Sequence, residues 1–190
     1  VITKASVATP KSERQFRKEV TALLRLSEPG HPNIIKLYTV LEDADNMYMI
    51  LEYASHGELF DYIVENSPLD EVHAAYFFRG MVSATLACHL SGVVHRDIKP
   101  ENFLLDRGKY VRLSDFGFAG FQARGAGKTL KQPCGSPTYA APEIFRGESY
   151  DESVDVWSLG VNLYVLVTGR SPWGDRASAR VTRERIQMAA

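Results

Sequence analysis

Cysteine is scarce: only Cys88 and Cys134 occur in 190 residues, far apart and without CxxC or Cys/His spacing. That excludes a disulfide framework or a cysteine zinc site and points to reduced thiols in an intracellular, cytoplasmic setting. Charge of one sign is also lacking. The 22 Lys and Arg and 23 Asp and Glu are interspersed and leave a formal net charge of -1, with no basic stripe of the kind a nucleic-acid partner needs. The longest apolar stretch, around Val161 to Val167, is far too short to span a bilayer, and no charged-then-apolar signal segment opens the chain at Val1. Internal repeats and low-complexity tracts are absent as well. What is present is an ordinary globular mixture, 45% hydrophobic and 24% charged. It is long enough for one large domain or for a truncated piece of a two-lobed one.

Apolar residues at helical spacing mark an amphipathic helix over Ser12 to Leu26, with Ser12 as its N-cap and Glu19 beside its apolar face. After Pro29-Gly30-His31-Pro32, two β-rich runs, Ile34 to Leu41 and Met47 to Glu52, flank the polar turn Glu42 to Asn46 and read as a hairpin. From Gly57 the character changes to helix. Glu58 to Glu65 is a short helical stretch, and Leu69 to Leu90 a long one that stops at Gly92. Phe103 to Leu105 and Tyr110 to Leu113 form a small hairpin around Asp106-Arg107-Gly108-Lys109. Residues Gly117 to Pro142 read as a long loop of the functional kind. Val154 to Val167 reads as a buried helix ending at Gly169, and the Arg-rich stretch Gly174 to Ala190 has no assigned structure.

The chemistry concentrates at the two mouths of the small hairpin. His95-Arg96-Asp97-Ile98-Lys99-Pro100-Glu101-Asn102 precedes it, and Asp115-Phe116-Gly117 follows it. Mg²⁺ takes a few carboxylate or amide oxygens together with substrate phosphate oxygens, which Asn102 and Asp115 can supply while Asp97 stays free to accept a proton. Lys99 adds a positive charge beside a transferring phosphoryl group. Taken singly, each of these is an ordinary surface-loop residue, and only the joint pattern carries the reading.

With those motifs the chain resembles the protein kinase family, and the following roles are what the resemblance implies. The fold would be α+β and two-lobed, truncated: residues 1-53 a partial β-rich N-lobe, 54-173 the helical C-lobe, and 174-190 an atypical tail. The activity would be transfer of the ATP γ-phosphoryl group to protein serine or threonine hydroxyls, with Mg²⁺. Asp97 would be the catalytic base, Asn102 and Asp115 would hold the metal, and Lys99, of the serine/threonine branch, would neutralise the transferred group. Ala141-Pro142-Glu143 is similar to the end of the activation segment, and Asp155 to Gly160 to the helix that anchors the catalytic loop through Asp155. Upstream, Glu19 matches the helix glutamate that pairs with a strand lysine, Leu51 the gatekeeper, and Glu52, Tyr53 and Ala54 the hinge on the adenine edge. Leu104 would be the floor under the ring, while Leu23, Leu37, His95 and Phe116 match a stacked apolar spine. Glu58 and Glu101 match acidic positions that receive arginines upstream of the target residue, so a basic protein substrate is implied. The run Cys134 to Glu143 resembles the calcium/calmodulin-dependent group and its AMP-activated and microtubule-affinity-regulating members, with Ser136 hydrogen-bonded near Asp97 and Lys99.

Three departures from the family pattern accompany the match. Neither the glycine-rich loop nor the lysine that holds ATP phosphates precedes Glu19, and Val1-Ile2-Thr3-Lys4 aligns just after that lysine, so Lys4 is not its equivalent. Arg96 points to activation by an upstream kinase, yet the usual activating threonine is Gln132 here, with Thr129 three residues earlier. Beyond Trp173 the expected helices give way to Arg176, Arg180, Arg183 and Arg185, which should leave Glu143 without its arginine and expose the apolar face of the Val154 to Val167 helix. A truncated gene model, a splice form or a fragment is the expectation. The alternative function is a noncatalytic pseudokinase or interaction fragment. A metal-dependent hydrolase lacks the histidine ligand spacing it would need.

Overall fold

A computed structural model describes residues 1–4, 9–123, 127–174 and 178–189. Strand β1 (Ile2–Thr3) leads to helix α1 (Pro10–Ser27), which is followed by β2 (Leu37–Glu42) and β3 (Asn46–Leu51). These strands form an antiparallel sheet in the order β1-β3-β2. Asp43 closes the β2–β3 turn, its Oδ1 accepting from the amides of Asp45 at 2.8 Å and Asn46 at 2.7 Å. The α1 cap is Thr9, whose hydroxyl accepts the Ser12 amide at 3.2 Å. Ser12 is therefore not the N-cap: Pro10 fits the first helical turn, so the helix begins two residues before Ser12. Phe16, Ala22, Leu23 and Leu26 line its buried face.

The remainder is largely helical. Helices α2 (Leu59–Asn66) and α3 (Glu71–Leu90) come first, α3 capped by Asp70, which accepts the His73 amide at 2.8 Å. Then come β4 (Val93–Val94), a 3₁₀ turn at Pro100–Asn102, β5 (Phe103–Leu105), β6 (Val111–Leu113) and β7 (Gly120–Phe121). β5 pairs with β6, and β4 with β7. The segment read as one loop from Gly117 to Pro142 thus contains a strand, and Leu130 forms an isolated antiparallel bridge with Tyr150. Residues 124–126 of that segment lie outside the described residues.

Helices α4 (Pro142–Arg146), α5 (Ser153–Thr168) and α6 (Ala179–Ala189) complete the chain. The tail without an assigned structure is therefore mostly helix: Ile186 is fully buried, and Arg183 lies 5.2 Å over the Phe145 ring. Arg176 lies outside the described residues. One large core joins α1, the sheet, α2, α3 and α5, and a smaller one gathers Val94, Ala140, Ala141, Ile144, Tyr150 and Val154. The two regions are tied by backbone bonds from Ile35 to the Leu113 carbonyl at 2.9 Å and from Leu113 to the Asn33 carbonyl at 2.8 Å. On α5, Val156, Leu163, Tyr164 and Val167 are exposed.

Candidate active site

The loop between β4 and β5 is buried almost throughout, with His95, Arg96 and Asp97 at 0%, 6% and 3% exposure. Buried backbone donors need partners, and α5 supplies them. Asp155, itself fully buried, accepts the His95 amide at 2.8 Å, the Arg96 amide at 2.7 Å and bonds His89 Nε2 at 2.9 Å. His89 was not singled out in the sequence; its only signal there is a place in the last turn of α3. Held this way, Arg96 takes a left-handed backbone conformation with φ 69°, and the next residue, Asp97, enters the site.

Asp97 collects three donors in four contacts. Its Oδ2 receives Lys99 Nζ at 3.0 Å and Asn102 Nδ2 at 3.2 Å, Asn102 also bonding the Asp97 carbonyl at 2.7 Å, while Oδ1 receives the Ser136 amide at 2.8 Å. Lys99 further donates to Ser136 Oγ at 2.9 Å. Burial works to raise the Asp97 pKa, yet the hydrogen bonds from Lys99 and Ser136 outweigh it and hold the carboxyl below its ordinary value. A carboxylate oxygen has room for about two donors. Lys99 and Asn102 thus occupy Oδ2, and Ser136 meets Oδ1.

Asn102 commits its amide nitrogen to Asp97, which leaves its side-chain oxygen as the atom able to ligate a cation. The β5–β6 hairpin returns the chain beside it: Ser114 bonds the Asn102 carbonyl through its amide at 2.8 Å and its hydroxyl at 3.0 Å, and Asp115 follows directly. Asp115 is exposed, has φ 56° and accepts the Gly117 amide at 3.1 Å. Among the described residues no three His, Cys, Asp or Glu side chains converge as a protein-only metal cage would require. One amide oxygen just before β5 and one carboxylate just after its partner β6 fit Mg²⁺, which keeps waters and substrate phosphates in most of its positions.

Around this centre stand the other sequence candidates. Glu19 faces Asp115 from α1, and burial, with the Asp115 charge as second cause, pushes its carboxyl up to about 7. No basic side chain pairs with it among the described residues; Lys4 is bound instead to Glu42 at 3.2 Å. Leu51 ends β3 at 38% exposure and Tyr53 is exposed, whereas Ala54 packs on the core and Glu52 lies 3.6 Å from Arg112. Backbone bonds from His56 to the Leu105 carbonyl and from Leu105 to the Gly57 carbonyl bring this stretch against β5, where Leu104 bridges Glu58. Glu101 has a buried Oε2 without a hydrogen-bond partner among the described residues, and burial, then Asp97 and Glu58, raise its pKa. The spine candidates come together: Leu23, Leu37 and Phe116 join one core, and the His95 and Phe116 rings meet edge-on at 4.9 Å. Next to the centre, a cavity of about 470 Å³ is lined by Arg14, Lys18, Arg96, Phe118 and Gln132.

The sequence pattern of the protein kinase domain matches residues 2–190. The chain is 43% identical over 187 residues to the Mus musculus protein "Serine/threonine-protein kinase SIK1", an alignment covering 98% of this chain and 23% of that protein. It is 42% identical over 193 residues to the Danio rerio "Serine/threonine-protein kinase SIK3 homolog", covering 98% and 16%. The chain therefore spans less than a quarter of the length of these relatives.

Proposed function

The chain belongs to the protein kinase family, and from that premise we propose that it carries the catalytic centre for transferring the ATP γ-phosphoryl group to serine or threonine hydroxyls of protein substrates. The observation that carries this reading is Asp97: an ionised, buried carboxylate with three neighbouring groups fixed on it, where a substrate hydroxyl would bond at Oδ1. A substrate hydroxyl bonded there has its oxygen oriented for attack. Its oxygen forms the new bond to the γ-phosphorus, the bond from that phosphorus to the β,γ-bridging oxygen breaks, ADP leaves with the electron pair, and the proton passes to Asp97. Lys99 stands 3.0 Å from Asp97, where its charge offsets that of the transferring group. Mg²⁺, when bound, neutralises phosphate charge, and Asn102 and Asp115 are the residues that would hold it. Leu51, Glu52, Ala54 and Leu104 would border the adenine. Glu101, whose buried oxygen has no partner among the described residues, and Glu58 beside it favour a substrate with basic residues upstream of the target.

A second reading, a noncatalytic interaction module, is favoured by Glu19, which has no cationic partner among the described residues. The two are separated by measuring Mg²⁺-dependent nucleotide binding and ³²P transfer to a basic serine peptide, with the 190-residue chain beside a version extended upstream of Val1. Transfer by the extended version supports the kinase reading. Folded protein without transfer in either form supports the module. In an active version, Asp97→Asn should lower turnover at least about 100-fold with nucleotide binding retained, and Asp115→Asn should weaken the Mg²⁺-dependent binding itself. Turnover of Asp97→Asn within tenfold of wild type would remove Asp97 from the role of base.

A further inference from the structure

Tyr150 lies outside every motif discussed above, yet it is 1% exposed and its hydroxyl sits at a junction. The phenol accepts from Arg96 Nη1 at 3.0 Å and donates to the Gln132 carbonyl at 2.5 Å, with Cys134 Sγ 3.8 Å away. Its backbone forms a two-bond bridge with Leu130, at 2.8 and 3.0 Å. One residue thus grips the segment at 130 and at 132 and joins it to the arginine beside Asp97. Further along, Gly135 with φ 92° packs so closely that a Cβ there would collide with the Arg96 carbonyl, and the Ser136 amide then reaches Asp97. Arg96 meanwhile has each guanidinium nitrogen occupied, by the Phe118 carbonyl at 2.6 Å, the Ala119 carbonyl at 3.2 Å and Tyr150. None of these contacts uses a phosphate. The contact at 132 uses the main chain, so it forms with Gln132 as it would with any residue there.

We propose that Tyr150 is a positioning residue: its hydroxyl locks residues 130–136 against Arg96 in the unphosphorylated chain and so delivers Ser136 to Asp97. The significance for catalysis rests on the kinase reading above, but the lock itself is a conformational property and is measurable without phosphoryl transfer. Amide hydrogen exchange of the full 190-residue chain, freed of phosphate by phosphatase treatment and verified by mass spectrometry, tests it. In wild type the Ser136 amide should exchange slowly. In Tyr150→Phe it should exchange roughly 5- to 30-fold faster, the factor that one or two net hydrogen bonds supply. The Leu130 amide, held by the Tyr150 main chain, should change by less than about twofold over the same comparison, because that backbone bond is retained. Equal acceleration at both amides would make the hydroxyl a general stabiliser, and no acceleration at Ser136 would remove it from the path; either result overturns the lock. Should the variant fail to fold, the wild-type chain decides: fast Ser136 exchange that slows only when Thr129 is phosphorylated overturns a phosphate-free lock, and slow exchange without phosphate upholds it.

Discussion

Replacing Asp155 is the severest test of how the catalytic loop is held. The carboxylate is fully buried and serves two backbone amides, His95 and Arg96, as well as the His89 ring. Asp155→Ala leaves both amides without a partner where water does not reach them. Breaking such a buried charged contact costs about 3–5 kcal/mol, a large share of the roughly 5–15 kcal/mol by which domains are stable. Asp155→Asn preserves the volume and one acceptor oxygen for the Arg96 amide but sets an N–H₂ against the His95 N–H, for about 1–3 kcal/mol. Urea unfolding separates the cases. With a slope of about 2 kcal/mol per molar, the alanine variant should lose roughly 2 M in midpoint and the asparagine variant roughly 1 M. If Ala and Asn cost the same, the hydrogen-bond account is wrong; if both lie within about 0.5 kcal/mol of wild type, Asp155 does not anchor the loop at all.

Glu19 predicts a pH dependence. Its folded pKa, raised to about 7, exceeds the model-peptide value of 4.5, so between those values the folded chain holds more protons than the unfolded one. This contribution is fully present below pH 4.5 and is lost as pH rises through 7. Solvent screening at this half-buried group keeps the loss to no more than about 2 kcal/mol. Glu19→Gln should flatten the fall in urea midpoint between pH 5 and pH 8, and an unchanged slope would contradict the assignment. Gly135→Ala should destabilise by about 2 kcal/mol or more, since φ 92° is strained for alanine and the added Cβ meets the Arg96 carbonyl; a melting temperature equal to wild type would refute that close approach.

The elements legible in the sequence were those whose signal is local. The β2–β3 hairpin, α3 and α5 follow from period and turn residues, and each is found within about three residues of its expected bounds. Asp97, Lys99, Asn102 and Asp115 were legible because one short hairpin fixes their neighbourhood. Helix α6 was not, since its Arg-rich surface leaves a buried side reduced to Thr182 and Ile186, with α4 packed against the helix. Nor was the Thr9 cap, because Ser12 offers the same hydroxyl chemistry one turn nearer the first apolar residue, Phe16. Tyr150 and His89 act through partners 54 and 66 residues away in sequence, and no window of local pattern contains both ends of such a contact.

Arg96 ties these observations to one physical cause. A non-glycine residue with φ 69° costs of order 1–3 kcal/mol, and nothing in the His-Arg-Asp sequence favours that conformation. The strain persists because it is over-determined from two sides. Asp155 fixes the Arg96 amide from α5, while the guanidinium is pinned by two carbonyls of the segment after Asp115 and by Tyr150. Each tether crosses to a different element, so each forms only when both elements have packed. The left-handed turn thus registers the assembly of α5, the segment after β6 and the 130–136 stretch together, and its geometrical product is the direction in which Asp97 leaves the backbone. Loosening either tether should therefore reach the Asp97 carboxylate before it reaches the core, with Ser136 exchange rising ahead of global unfolding.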